Sequence, residues 1–190
     1  PPRALGMTEP TRRPVAGAES QPRKDPSGLA ARELAVHLIG AVTIDRHALD
    51  DALGAPPPRL DVEAMEPRDR GHARMIAATA LRRLGQIDAV IQTFLERPLP
   101  KDRGRLMPIL QSATAQLLFL GTAPHAAINV AVEQCRRDRG ARRFDKLANA
   151  VLRRVAELDP KSKSAQRNLL STLIRAGMPE EALSIIRTLR

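Results

Sequence analysis

Aromatic side chains are nearly missing from this sequence. It contains no tryptophan and no tyrosine, and its aromatic residues are Phe94, Phe119 and Phe144. The core must therefore be built from leucine, isoleucine, valine, alanine and methionine, a composition that favours packed helices over sheets. The shortage also argues against a sheet surface on which several bases stack, as in an RRM or an OB fold.

Cysteine, long apolar runs and histidine clusters are missing as well. The lone Cys135 excludes an internal disulfide and a cysteine-based zinc site. There is no apolar run of about 18 residues and no signal-peptide pattern, so we expect a cytoplasmic protein with no membrane partner. The four histidines lie far apart, without the spacing of a metal site or a catalytic triad.

Acidic residues are outnumbered. The chain has 31 lysines and arginines against 21 aspartates and glutamates, a formal net charge of +10. Such an excess predicts an acidic partner, with RNA or DNA as the first choice. The alternative is a basic surface that is only solvated.

Both ends of the chain contain prolines, which interrupt regular structure. Residues 1–27 contain six prolines among polar neighbours, which predicts a mobile leader, and Met7 within it is a candidate native start. Residues 159–190 predict a linker and a C-terminal helical hairpin that turns at Gly177-Met-Pro179. One hairpin cannot bury its own apolar face, so it must pack on the rest of the chain or on a partner.

Helical periodicity fills the region between these ends. Apolar residues recur at spacings of three and four, and glycine or proline follows most of the periodic runs. Strand signals are absent. We predict an all-α, orthogonal bundle of about seven helices over 28–158, with Ser27 as the first N-cap. The predicted helices are 29–42, 47–53, 68–84, 87–95, 106–120, 126–137 and 144–158. We expect Met75, Ile76, Thr79, Ala80 and Leu84 on the inner face of the third helix, which Gly85 interrupts, and the most apolar helix, 106–120, at the centre of the bundle.

Basic residues concentrate near the end of that bundle. From Arg136 to Arg167 there are eleven basic and four acidic residues, a net charge of +7 by 11 minus 4. Guanidinium groups suit phosphates because their forked donors match two oxygens. The candidate RNA-binding residues of this region are Arg136, Arg137, Arg139, Arg142, Arg143, Lys146, Arg153 and Arg154. A second basic group, for which a solvated helix face is the alternative, consists of Arg68, Arg70, Arg74, Arg82 and Arg83. Arg70 and Arg74, four apart on one face of a predicted helix, are the candidate RNA-binding residues of this group.

Two short motifs are more specific than the charge. They are Pro124-His125-Ala126-Ala127, followed by Asn129 and Glu133, and Asn149-Ala-Val-Leu-Arg153. Pro124 suits a helix start, and His125 beside it can cap or hydrogen-bond the turn. We interpret Asn129 and Asn149 as structural residues that tie helices together, because a buried amide must find partners.

Together with Leu81-Arg82-Arg83 and Leu117-Leu118-Phe119-Leu120, these motifs resemble one known domain. It is the NusB-like, RNA-binding domain that precedes the catalytic domain of bacterial ribosomal RNA cytosine-5 methyltransferases, and the resemblance covers about 28–158. It implies that Arg32, in the first helix, lies near the RNA surface. One departure is Val130, where the family commonly has glutamate.

The resemblance implies a function that the chain performs only in part. It would position 16S ribosomal RNA for a catalytic domain that needs a glycine loop for S-adenosylmethionine and two cysteines, none of which we find in these residues. We therefore expect no catalytic residue and no cofactor in this chain, with S-adenosylmethionine bound only where a catalytic domain is supplied elsewhere. Cys135 lies on the apolar face of its predicted helix and is expected to be a core thiol.

Two other functions stay open. One is a stand-alone NusB-like factor of transcription antitermination or ribosome assembly, which binds RNA together with a ribosomal or transcription-complex protein. The other is a protein-interaction module whose C-terminal hairpin docks a partner helix.

Overall fold

The computed structural model describes residues 28–54, 56–57, 60–158 and 177. Every element within them is helical, which confirms the all-α prediction. The predicted leader and the C-terminal hairpin, apart from Gly177 at its turn, lie outside the described residues. The elements are α1 (Leu29–Thr43), α2 (Leu49–Gly54), α3 (Pro67–Arg82), α4 (Leu84–Thr93), α5 (Leu106–Phe119), α6 (Pro124–Arg137), a 3₁₀ helix (Arg142–Phe144) and α7 (Asp145–Ala156).

Helix α5 occupies the centre of the bundle. Every residue from Pro108 to Leu118 is buried, and the helix packs against α1, α3, α4, α6 and α7. A helix that is apolar on most of its faces has no side to present to water, so the other helices surround it.

Polar side chains inside this core join α5 to its neighbours. The Gln116 side chain is 2% exposed, and its Oε1 accepts a hydrogen bond from Arg32 Nε at 2.6 Å. Gln111 Nε2 donates to Asp88 Oδ1 at 2.7 Å, and burial raises the pKa of Asp88, although this hydrogen bond acts to lower it. Because unpaired polar groups are costly in a core, these bonds specify how α1 and α4 lie against α5.

Three local predictions need correction or fall outside the described residues. Met75 was expected on the inner face of α3 but is 47% exposed, because it lies on the opposite side of the helix from the buried Ala73, Ala77 and Ala80. The break after α3 is at Arg83, whose φ of −111° and ψ of 20° are not helical, and Gly85 lies inside α4. Ser27 lies outside the described residues; Gly28 is the N-cap of α1, with φ of 73°.

The turn between α6 and the 3₁₀ helix meets the segment before α5 at two glycines. A Cβ atom built on Gly140 would lie 2.6 Å from both the Cα and the N of Gly104, which itself has φ of 52°. Asp138 Oδ1 accepts hydrogen bonds from the backbone N–H groups of Gly140 at 3.0 Å and Ala141 at 2.8 Å. The same oxygen accepts one from Arg105 N at 3.4 Å. We call this arrangement the Asp138 clasp.

Replacing Gly140 with alanine tests the clasp. The new methyl group would meet the Gly104 backbone, which cannot move aside as a flexible side chain can. We expect Gly140→Ala to lower the free energy of unfolding by about 2 kcal/mol, measured by urea denaturation. The matched control is Gly71→Ala on α3, where nothing lies within 4 Å of the built Cβ. That change should raise stability by up to about 1 kcal/mol, and equal effects of the two substitutions would contradict the clasp.

Candidate nucleic-acid interface

The Asp138 clasp presents a basic turn to solvent. Arg139 and Arg142 are exposed and form no ion pair within the described residues. Arg143 is 54% exposed and contacts Asp102 through both the backbone carbonyl and the carboxylate, whose Oδ2 is 3.3 Å from Arg143 Nη2. The turn is thus tied down at Asp138 and Arg143, while the guanidinium groups of Arg139 and Arg142 are available to a ligand.

A polar groove runs between α6 and α7. It encloses about 400 Å³ and is lined by Asn129, Val132, Glu133, Arg136, Asp145, Lys146 and Asn149. Arg136 Nε lies 3.2 Å from Asp145 Oδ2, and the hydrogen bond from Arg136 is the main cause that lowers the pKa of Asp145. Lys146 and Arg153 are exposed and seven residues apart, so they share one outer face of α7 beside this groove.

Two other predicted RNA-binding residues point elsewhere. Arg137 Nε pairs with Glu133 Oε1 at 3.0 Å, and its Nη1 lies 3.9 Å from Glu33 Oε1 on α1. The Arg154 guanidinium lies over the ring of Phe94, 5.2 Å from the ring centroid. The basic residues that are close in sequence therefore lie on several sides of α6 and α7 and do not form one stripe.

A second cationic surface lies at a cleft between α1, α3 and α6. The cleft holds about 690 Å³ and is lined by Gly28, Arg32, Arg68, Asp69, Gly71, His72, Met75 and Ala126. The first turns of α1, α3 and α6 border it, and helix N-termini carry partial positive charge that favours anions. An anion in this cleft would meet two guanidinium groups and three helix starts.

Arg32 and His72 in this cleft have perturbed protonation. Burial lowers the pKa of Arg32, which is half-buried, and its Nη1 also donates to the carbonyl of Gly28 at 3.2 Å. Burial lowers the pKa of His72 as well; the charges of Arg32 and Arg68 act in the same direction and Asp69 acts against them. The two positive charges of the cleft therefore come from arginine, and His72 contributes a neutral ring near pH 7.

Sequence reasoning placed Arg68 in the second basic group without selecting it as an RNA-binding residue, and it gave His72 no role. Their spacing of four on α3 places both on one face, a signal that the sequence contained. The selected Arg70 is half-buried and holds the preceding loop, because its Nη1 donates to the carbonyls of Val62 and Glu63 at 3.2 Å each. Arg74, one turn later, is exposed.

The predicted structural residues have mixed positions. Pro124 begins α6, as expected, but His125 is exposed and no side chain caps this helix. Asn129 is exposed and Asn149 is only half-buried, and neither amide has a hydrogen bond within the described residues. This corrects the expectation of buried amides that tie helices together: Asn129 lies on the outer face of α6, four residues after His125. Val130, where the sequence departs from the family pattern, is buried.

Cys135 is a core thiol. Its side chain is fully buried on α6, and burial, followed by the negative charges of Asp138 and Asp145, raises its pKa from 9.0 to about 12. A thiol that stays protonated at neutral pH is a poor nucleophile. Among the described residues, no group of three histidine, cysteine, aspartate or glutamate side chains is placed to hold a metal ion. None of the described helices is long and apolar enough to span a membrane.

The shifted thiol predicts how Cys135 reacts and how stability responds to alkali. Native protein at about pH 8 should resist alkylation by iodoacetamide, and protein unfolded in guanidinium should react fully, as read by mass spectrometry. Because the pKa of the thiol is higher in the folded state, the thiol of the unfolded protein ionises at lower pH. The free energy of unfolding should therefore fall as pH rises from about 9 to about 12. The variant Cys135→Ala should lack this contribution. Rapid labelling of the native protein would show that the thiol is accessible.

Comparisons with known proteins agree with this architecture. The NusB family model matches residues 29–157. Ribosomal RNA small subunit methyltransferase B of Xanthomonas campestris pv. campestris is 36% identical over 129 residues, which are 68% of this chain and 28% of that protein. The protein of the same name from Xylella fastidiosa strain Temecula1 is 32% identical over 161 residues, 83% of this chain and 36% of that protein. The chain thus spans about a third of the length of the curated relatives it matches.

A solved structure supports the fold. The structure of T. maritima NusB superposes with a TM-score of 0.57 at 21% sequence identity, covering 70% of this chain and 93% of that chain. A similarity of this degree shows that the two helical bundles share their architecture.

Proposed function

Because this chain belongs to the NusB family, we propose that it is the RNA-binding domain of a small-subunit ribosomal RNA cytosine-5 methyltransferase. In this function it positions the RNA for a catalytic domain outside these 190 residues. The curated relatives carry that methyltransferase name, and the matched region accounts for only 28% and 36% of their lengths. The remainder of such a protein has ample length for a catalytic domain.

The course of α6 is the observation that favours RNA as the ligand. Its first turn borders the Arg32 and Arg68 cleft, its outer face lines the polar groove, and its last turn leads into the basic turn at Arg139 and Arg142. A helix of 14 residues is about 20 Å long. Phosphates spaced along a single strand can therefore meet cations at both ends of one rigid helix.

The side chains along this path differ in which part of the RNA they can bind. The guanidinium groups bind phosphate oxygens in pairs, and the helix starts at the cleft add partial positive charge. The exposed Asn129 and the half-buried Asn149 offer amide donors and acceptors in the groove between the two cationic ends, where they can contact sugars or base edges. These contacts orient RNA and transfer no group.

The cofactor of the proposed enzyme does not fit the described residues. A site for S-adenosylmethionine of the expected kind needs a sheet with a glycine loop after a strand, and the described elements are all helical. We therefore assign cofactor binding and methyl transfer to the catalytic domain and derive no chemical step from this chain.

The family match also favours a second candidate function. The NusB model covers most of the bundle, which fits a stand-alone NusB-like factor that binds RNA together with a ribosomal or transcription-complex protein. The two candidates differ in their partners. A stand-alone factor should bind RNA more tightly when a small-subunit ribosomal protein is added, and a methyltransferase domain should not.

Salt titration of RNA binding tests the proposed interface. If six cations contact single-stranded RNA, the logarithm of the affinity should fall with the logarithm of salt concentration at a slope of about −4. Arg142→Gln/Arg153→Gln removes two exposed cations that have no ion pair among the described residues. We expect this variant to bind more weakly and its slope to become shallower by about 1.4.

The control has the same change in charge at two residues that line neither the cleft, the groove nor the basic turn. Arg46→Gln/Arg82→Gln also removes two exposed arginines, one after α1 and one at the end of α3. It should keep the wild-type slope. Equal losses in the two double variants would show that only net charge matters. A fragment of small-subunit ribosomal RNA and an unrelated RNA of equal length should be compared in parallel, since equal affinities would contradict the ribosomal assignment.

A further inference from the structure

Each phenylalanine of this chain has an arginine over its ring. The distances from the guanidinium carbon to the ring centroid are 4.8 Å for Arg83 over Phe119, 4.9 Å for Arg143 over Phe144 and 5.2 Å for Arg154 over Phe94. Two of the three rings, Phe94 and Phe144, line one cavity of about 370 Å³ between the segment that begins at Phe94 and one side of α7. We call it the two-phenylalanine cavity.

The walls of this cavity are apolar and its rim is largely cationic. Leu95, Leu99, Leu147 and Val151 form much of the wall, and Arg97 and Arg154 are exposed beside it. Glu96 is the one acidic residue of the lining that the structure describes. The volume falls in the range of sites that bind small organic groups. An apolar interior with a positive rim fits a flat, uncharged ring attached to an anion.

From these contacts we propose that the two-phenylalanine cavity binds one unstacked nucleobase of the RNA, an inference that rests on the proposed function. Bases stack on aromatic rings and on guanidinium planes, and unpaired nucleotides are the ones that proteins read in this way. Arg143 and Arg154 are already held over rings, so they lose little side-chain freedom when a ligand binds. The adjoining basic turn supplies cations for the flanking phosphates.

Charge favours a nucleotide over the chain's own C-terminal segment as occupant. Residues 165–190 contain four arginines and two glutamates, so they carry a net positive charge that the rim would repel. The site also agrees with the scarcity of aromatic residues. Three phenylalanines cannot build a platform for several bases, whereas two of them at one cavity suffice for a single base.

The test compares two single-stranded oligomers with the full chain. One is an oligouridine of about twelve nucleotides, and the other is an abasic oligomer with the same number of phosphates. Wild-type protein should bind oligouridine about tenfold more tightly than the abasic oligomer, since each stacked base contributes on this scale. Phe94→Leu and Phe144→Leu should each remove most of this preference and leave the affinity for the abasic oligomer and the salt slope unchanged.

Phe119→Leu is the matched control, because Phe119 also has an arginine over its ring but does not line the cavity. It should keep the preference for oligouridine. Equal wild-type affinities for the two oligomers, or equal effects of Phe94→Leu and Phe119→Leu, would overturn the cavity assignment while RNA binding itself stands. Failure to bind either oligomer would contradict the proposed function as well.

Thermal denaturation of the same variants distinguishes a nucleobase from residues 159–190 as the occupant of the cavity. An unchanged oligouridine preference, combined with a far larger loss of stability in Phe94→Leu than in Phe119→Leu, is the result expected if residues 159–190 cover the cavity. That result would also overturn the proposal.

Discussion

One carboxylate oxygen organises the turn that carries the basic end of the proposed interface. Asp138 Oδ1 accepts three backbone N–H groups, two from its own turn and one from the start of α5. The turn can approach α5 this closely only because Gly104 and Gly140 meet without side chains. Through this contact the buried central helix sets the direction of the 3₁₀ helix and α7, and Arg139 and Arg142 of the turn are exposed to solvent.

Polar contacts inside the bundle give its cations two distinct roles. Arg32 donates a hydrogen bond to Gln116, and Arg70 donates to loop carbonyls. Each guanidinium group therefore stabilises the fold as well as adding positive charge to a surface. Arg136 and Arg137 are ion-paired at the surface, where such pairs add little to stability and a phosphate can compete for the cation. Arg139, Arg142, Lys146 and Arg153 have no such partner within the described residues, so a phosphate can bind them without displacing another anion.

The three contacts between an arginine and a phenylalanine change what the low aromatic content implies about base stacking. Few aromatic residues argue against stacking when only their number is considered. Two of the rings nevertheless converge on one cavity, although Phe94 and Phe144 are 50 positions apart in sequence, by 144 minus 94. Composition gives the number of rings, and the tertiary structure decides which of them line the same cavity.

The sequence was sufficient to predict the order of the helices, the central position of α5 and the start of α6 near Pro124. These features depend on local backbone preference and on the period of apolar residues, which can be read from helical periodicity, from proline at helix starts and from the apolar character of α5. The same reasoning misplaced Met75 and took Asn129 for a buried amide, because a single helix cannot show which of its faces a neighbour covers. The basic segment after Arg136 was visible in the sequence as a run of charge. Tertiary structure decided which of these basic residues lie in a turn, which in a groove and which over aromatic rings. The ion pairs to Asp102 and Glu33 and the contact with Phe94 join residues that are far apart along the chain.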